Sequence, residues 1–109
     1  MSEFGLIQDT ESLDEAFLRS NEKPVVIFKH SNTCPISSGA YGEMEQVSVP
    51  VSVVVVQKSR NISAEIADRT GVRHESPQII VMRNGVPVWT ASHWNITAEA
   101  VQSAVSKNV

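Results

Sequence analysis

The sequence predicts an α/β domain in which a mixed four-stranded sheet is flanked by helices on both faces, and three observations predict it. Val25-Val26-Ile27-Phe28 and Val51 to Val56 are short β-branched runs with little polar alternation, as in strands covered on both sides. Segments with apolar residues at helical spacing lie before, between and after them. Toward the end, Gln78 to Arg83 and Val86 to Ala91 flank Asn84-Gly85, a strong hairpin signal that turns the sheet antiparallel. The resulting order α, β, α, β, α, β, β, α combines a βαβ unit, a crossing helix and a hairpin.

Taken in order, Thr10 to Ser20 carries Leu13, Ala16 and Phe17 on one helical face, with Ser12 and Glu15 spaced as a reciprocal capping box. Lys23-Pro24 punctuates the chain before the first strand. Ile36, Ala40, Met44 and Val47 form the apolar stripe of a second helix beginning at Cys34 or Pro35, and Pro35 suits a first turn. Gly39 and Gly42 weaken that helix by about 1 kcal/mol each relative to alanine, so tertiary packing must hold it or a partner must approach its backbone closely. Asn61 is placed to cap a third helix bearing Ile62, Ile66 and Ala67 and closed by Gly71. Pro87 cannot donate to a ladder and assigns the return strand to a sheet edge, or itself to the strand's start. Thr97 caps a last helix with Ala98, Val101, Ala104 and Val105 on one side.

With 109 residues and 41% hydrophobic content, residues 1–109 are expected to form one domain. A formal charge of −3 and a pI near 5.5, without a basic run, disfavour nucleic acid and anionic membranes as partners. The longest apolar run falls far short of the roughly 20 residues that span a bilayer, and no basic-then-apolar leader opens the chain. A cytoplasmic location is the expectation. One cysteine cannot form an internal disulfide, which fits a reducing compartment, and the sequons at Asn61 and Asn95 read better as helix starts than as glycosylation sites.

Cys34 stands just past the first strand and at the start of the second helix, where free backbone N–H groups and the helix dipole favour a thiolate. Ligands commonly bind at such carboxyl ends of parallel strands. A lone cysteine is often a buried small hydrophobe. Here the polar run Ser31-Asn32-Thr33 before it and Pro35 after it argue for an accessible nucleophile.

The stretch Cys34-Pro35-Ile36-Ser37 resembles the Cys-x-x-Cys motif of thioredoxins and glutaredoxins with Ser37 replacing the second cysteine. Asn61 to Val72 resembles the thioredoxin segment that leads to a proline loop, and Ser76-Pro77 stands where that fold places its cis-proline. This resemblance implies a thioredoxin-like fold, a cis Pro77, and a thiol substrate paired to the backbone around Glu75 and Ser76. The combination of Thr33-Cys34-Pro35-Ile36-Ser37 with Phe28-Lys29-His30-Ser31 and Ser92-His93-Trp94 is more particular and is similar to the YtxJ-like bacilliredoxin family. Phe28 occupies the place of the buried acid of thioredoxins, and Thr33 that of their tryptophan. The first departure fits a chain with no second cysteine to deprotonate, and the second points away from general protein-disulfide reduction.

The family resemblance implies a monothiol oxidoreductase that removes bacillithiol, a cysteinyl-glucosamine-malate thiol, from mixed disulfides on client proteins. Cys34 is then the catalytic nucleophile, and Thr33, Pro35, Ile36, Ser37, Glu75, Ser76, Pro77 and Lys29 are the expected thiol-binding residues. Bacillithiol is a co-substrate, with no permanently bound cofactor and no metal. Ser37 is a candidate donor to the thiolate, or else a solvated or backbone-bonded serine. Lys29, Arg60, Arg73 and His74 are candidates for the malate and amino-sugar groups, against an ordinary role as solvated charges. His93 and Trp94 enter from the resemblance alone; their structural alternative is a partly buried aromatic and its neighbour. Two other readings stand beside this one. The first is a carrier of iron–sulfur clusters, which Pro35 disfavours because such monothiol proteins carry a glycine after the cysteine. The second is a non-catalytic redox sensor or adaptor capped at Cys34.

Overall fold

The computed structural model describes residues 3–109. Five strands, β1 (Phe4–Leu6), β2 (Val25–His30), β3 (Val51–Val55), β4 (Gln78–Arg83) and β5 (Val86–Ser92), form one sheet in the order β1-β3-β2-β4-β5. Strands β1, β3 and β2 run parallel, while β4 is antiparallel to β2 and β5 to β4. The sheet therefore has five strands rather than four. The additional strand, β1, is three residues long with Gly5 at its centre, and Leu6 is 58% exposed, so no burial pattern marks it. Backbone pairing to β3, continued by Ile7 N–H donating to the Val53 carbonyl, and the edge-to-face contact of Phe4 with Tyr41 at 4.8 Å hold it in place.

Four helices cover the sheet: α1 (Thr10–Arg19), α2 (Pro35–Met44), α3 (Arg60–Thr70) and α4 (Ala98–Lys107). The continuous apolar runs are explained by two cores. Val26, Phe28, Val51, Val53, Ile79 and Val81 pack on one face with Ala40 and Met44 of α2 and Val101, Ala104 and Val105 of α4. Val25, Ile27, Val54, Ile80 and Met82 face the other way, against Leu13 and Ala16 of α1 and Ile62 and Ile66 of α3. Strand residues alternate between the cores, as pleating requires.

Helix ends differ from expectation at α1, α2 and α3. Asp9, not Ser12, caps α1: the Ser12 N–H donates to Asp9 Oδ1 at 2.8 Å, and the Ser12 side chain closes the box from the third helical position. Asp9-x-x-Ser12 thus replaces Ser12-x-x-Glu15, and both Ser12 bonds hold the Asp9 carboxyl below its ordinary range. Helix α3 starts at Arg60 after Ser59, so Asn61 lies inside the first turn and is not the cap. Gly71 closes α3 at φ +73°, the left-handed conformation glycine adopts without penalty. Val47 is buried but lies beyond the end of α2. Thr97 Oγ1 accepts from Ala100 N–H at the start of α4. Asn84 and Gly85 take positive φ in the hairpin, and Pro87 lies on edge strand β5.

Candidate active site

The carboxyl ends of β2 and β3 and the start of α2 meet in one region. Cys34 is the N-cap residue of α2, extended at φ −102° and ψ 123°, and its thiol is partly exposed. Pro35 occupies the first helical turn, where its missing N–H leaves no bond unmade. The remaining N–H groups of that turn are the free donors of a helix start, beside the cysteine.

The loop entering Cys34 is fastened from outside. Gln57, in the turn after β3, donates from Nε2 to Ser31 Oγ at 2.6 Å and to Thr33 Oγ1 at 3.0 Å. Its Oε1 accepts from Asn32 N–H at 3.2 Å. One amide thereby holds all three residues preceding the nucleophile. Sequence reasoning missed Gln57, since no motif links residues 25 positions apart.

Ser37 lies one helical turn beyond Cys34 and is fully buried. Its Oγ accepts from Ser31 N–H at 2.9 Å and lies 2.8 Å from His30 Nδ1. Burial holds the His30 imidazole below its ordinary pKa and so favours the neutral ring. The neutral ring can accept the hydroxyl proton at Nδ1 or donate its own from there, and in either tautomer the contact ties the hydroxyl to the ring. Ser37 is therefore the backbone-bonded serine of the alternatives, and its role is to join β2 to α2. The His30 ring lies tilted between Phe28 and Tyr41, at centroid distances of 5.3 Å and 5.0 Å, which holds it in place.

Of the other expected residues, Thr33 is exposed and engaged by Gln57, Pro35 is exposed, and Ile36 is half-buried beside the cysteine. The Ser76–Pro77 peptide bond is cis. Pro77 is buried and immediately precedes Gln78, which pairs with Lys29, so this loop lies at the same end of the sheet as Cys34. Glu75 is exposed, and the Ser76 hydroxyl is buried with no hydrogen-bond partner.

Lys29 is not the surface charge of the ordinary reading. It alternates with Val25 and Ile27 into the second core, has no solvent exposure, and its Nζ lies 3.1 Å from His74 Nδ1. Desolvation pulls its pKa down to about 8, and burial followed by the neighbouring ammonium lowers that of His74. Arg60 and His74 line a common cavity, whereas Arg73 lies outside it and contributes its carbonyl to Gln78 Nε2. His93 and Trp94 border a separate hollow of about 240 Å³ beside Ile36 and Gly39. Trp94 is 77% exposed, so the partly buried aromatic expected there is absent.

Among the described residues, no helix is long and apolar enough to cross a membrane. A solved structure described provisionally as an oxidoreductase with a thioredoxin fold is 30% identical, with a TM-score of 0.86, and covers 93% of this chain and 92% of its own. Thioredoxin from Fasciola hepatica (11% identity, TM-score 0.76, 96% and 99% covered) and an N21Q mutant thioredoxin from Halobacterium salinarum (16% identity, TM-score 0.75, 99% and 94% covered) share the fold. The family described as monothiol bacilliredoxin BrxC matches residues 6–101. A thioredoxin fold, one accessible cysteine at a helix start and this match together show that the chain belongs to the monothiol bacilliredoxin family of thiol oxidoreductases.

Proposed function

We propose that this protein removes bacillithiol from mixed disulfides on client proteins through Cys34. The observation that carries the reading is the partly exposed Cys34 at the start of α2, with a buried serine, Ser37, in the place of a resolving thiol. The Cys34 thiolate attacks the bacillithiol sulfur, the client thiolate leaves, and Cys34 retains bacillithiol as a new mixed disulfide. With one cysteine in the chain, no internal disulfide can follow. A free bacillithiol thiolate then attacks the bound bacillithiol sulfur, releasing bacillithiol disulfide and the Cys34 thiolate. Overall, the client sulfur leaves the disulfide level as a thiol, the sulfur of the free bacillithiol takes its place in a disulfide, and the bacillithiol sulfur already bound stays at the disulfide level.

Client proteins and the small thiol are the partners this reading requires, with the Glu75 to Pro77 loop offered as the client-facing backbone. A cytoplasmic, reducing setting fits a chain whose only cysteine must remain free.

Turnover is the test. Wild-type protein supplied with excess bacillithiol releases many equivalents of client thiol per Cys34. Release that stops after one equivalent contradicts catalysis and supports the sensor reading.

A further inference from the structure

Val56, Gln57, Arg60, Ser63, Ala64 and His74 line a half-open cavity of about 380 Å³. Its polar members are cationic or hydrogen-bonding, and three features of the surrounding residues are unsatisfied. The ammonium of Lys29, a residue with no exposure, has its one hydrogen-bond contact with His74, yet an ammonium has three donors. Among the described residues the only ion pairs join Arg69 to Asp14 and Glu65, so neither Lys29 nor Arg60 has a carboxylate partner. Ser63, 4% exposed, lines the cavity with an Oγ that has no hydrogen-bond partner.

A buried cation without a counter-ion is unfavourable by several kcal/mol and is retained where something compensates it. Glu75, the one carboxylate acting on His74, is itself exposed. We propose that the cavity binds a carboxylate, held by Arg60 and His74 with the Lys29 charge behind His74 and Ser63 as a hydroxyl donor. Its position adds a consequence. Gln57 lines the cavity and also holds Ser31, Asn32 and Thr33 with its amide, so a ligand here lies next to the loop that presents Cys34.

Resting on the exchange reading above, the cavity takes the dicarboxylate arm of the small thiol while its sulfur reacts at Cys34. A free dicarboxylate has the same chemistry, so the experiment has two arms. In the first, L-malate is titrated into the ¹⁵N-labelled full-length protein, with malamide as the uncharged control. Saturable shifts at Gln57, Arg60, Ser63, Ala64 and His74, weakened about tenfold or more in Arg60→Ala and absent with malamide, are the expected result. In the second, transfer to Cys34 is timed from a bacillithiolated client and from a client modified with uncharged 2-mercaptoethanol. If the arm sits in the cavity, the preference for the first client falls about tenfold in Arg60→Ala.

Malate shifts with an unchanged preference assign the cavity to a free dicarboxylate and uphold the carboxylate site. Absence of saturable malate shifts in the folded wild-type protein overturns it, whatever Cys34 does. Failure of transfer with malate binding intact counts against the exchange reading alone.

Discussion

The Ser37 hydroxyl lies 2.8 Å from Nδ1 of His30 and accepts from Ser31 N–H, so the side chain in the resolving position is committed to joining β2 to α2. That contact defines a role separable from the chemistry at Cys34. Ser37→Ala leaves a buried N–H and a ring nitrogen without their partner and lowers unfolding free energy by about 1–3 kcal/mol. Urea denaturation measures it. Bacillithiol transfer to Cys34 continues in this variant at permissive temperature, and its loss in the folded protein would assign Ser37 to the reaction instead.

Gln57 acts on Cys34 only through the loop it fastens. Gln57→Ala frees Ser31, Asn32 and Thr33, and a nucleophile that must find its geometry reacts more slowly, by about tenfold. The turn is at the surface, so the stability loss stays within about 1 kcal/mol. Stopped-flow transfer rates set beside denaturation midpoints separate this positioning role from a structural one, in which rate and stability would fall together.

Lys29 gives stability a pH dependence of known sign. Its pKa is lowered from 10.5 to about 8 by desolvation, so between those values the unfolded chain binds more protons than the folded one. Stability contributed at this position therefore rises from pH 8 to 10.5 and is lost as pH falls through 8. Lys29→Met has no such titration. The difference in unfolding free energy between wild type and Lys29→Met shifts toward wild type across this window, by on the order of 3 kcal/mol. A flat difference would show the ammonium to be solvated.

On the acid side, burial lowers His30 and His74, so the folded state resists protonation that the unfolded chain accepts near pH 6.5. Stability falls as pH drops from there through the folded values. Thermal unfolding of His30→Gln between pH 7 and 5 shows a shallower decline than wild type.

Much of this arrangement is legible in local pattern. The strands β2, β3 and β4 announce themselves through β-branched runs, Asn84-Gly85 through turn chemistry, and Cys34-Pro35 through the need of a helix start. Lys29 was within reach too: strand alternation from Val25 and Ile27 turns it inward, but its charge argued for the surface. What stayed hidden depends on contacts distant in sequence. Strand β1 is recognised by its partner β3 and not by its own three residues, and Gln57 matters only because β3 ends beside the loop that follows β2. Ser37 shows a third limit, since its alternatives differ only in which neighbour the fold brings within 3 Å, here Ser31 N–H at 2.9 Å with His30 Nδ1 at 2.8 Å.

Intact-mass spectrometry of wild type and Cys34→Ala, after incubation with a bacillithiolated client and in parallel with a glutathionylated one, tests the central claim most directly. The account predicts prompt addition of a single bacillithiol to wild type, none to Cys34→Ala, and slower transfer of glutathione. No transfer from either client to folded wild-type protein would contradict it and leave a redox sensor or cluster carrier as the better description.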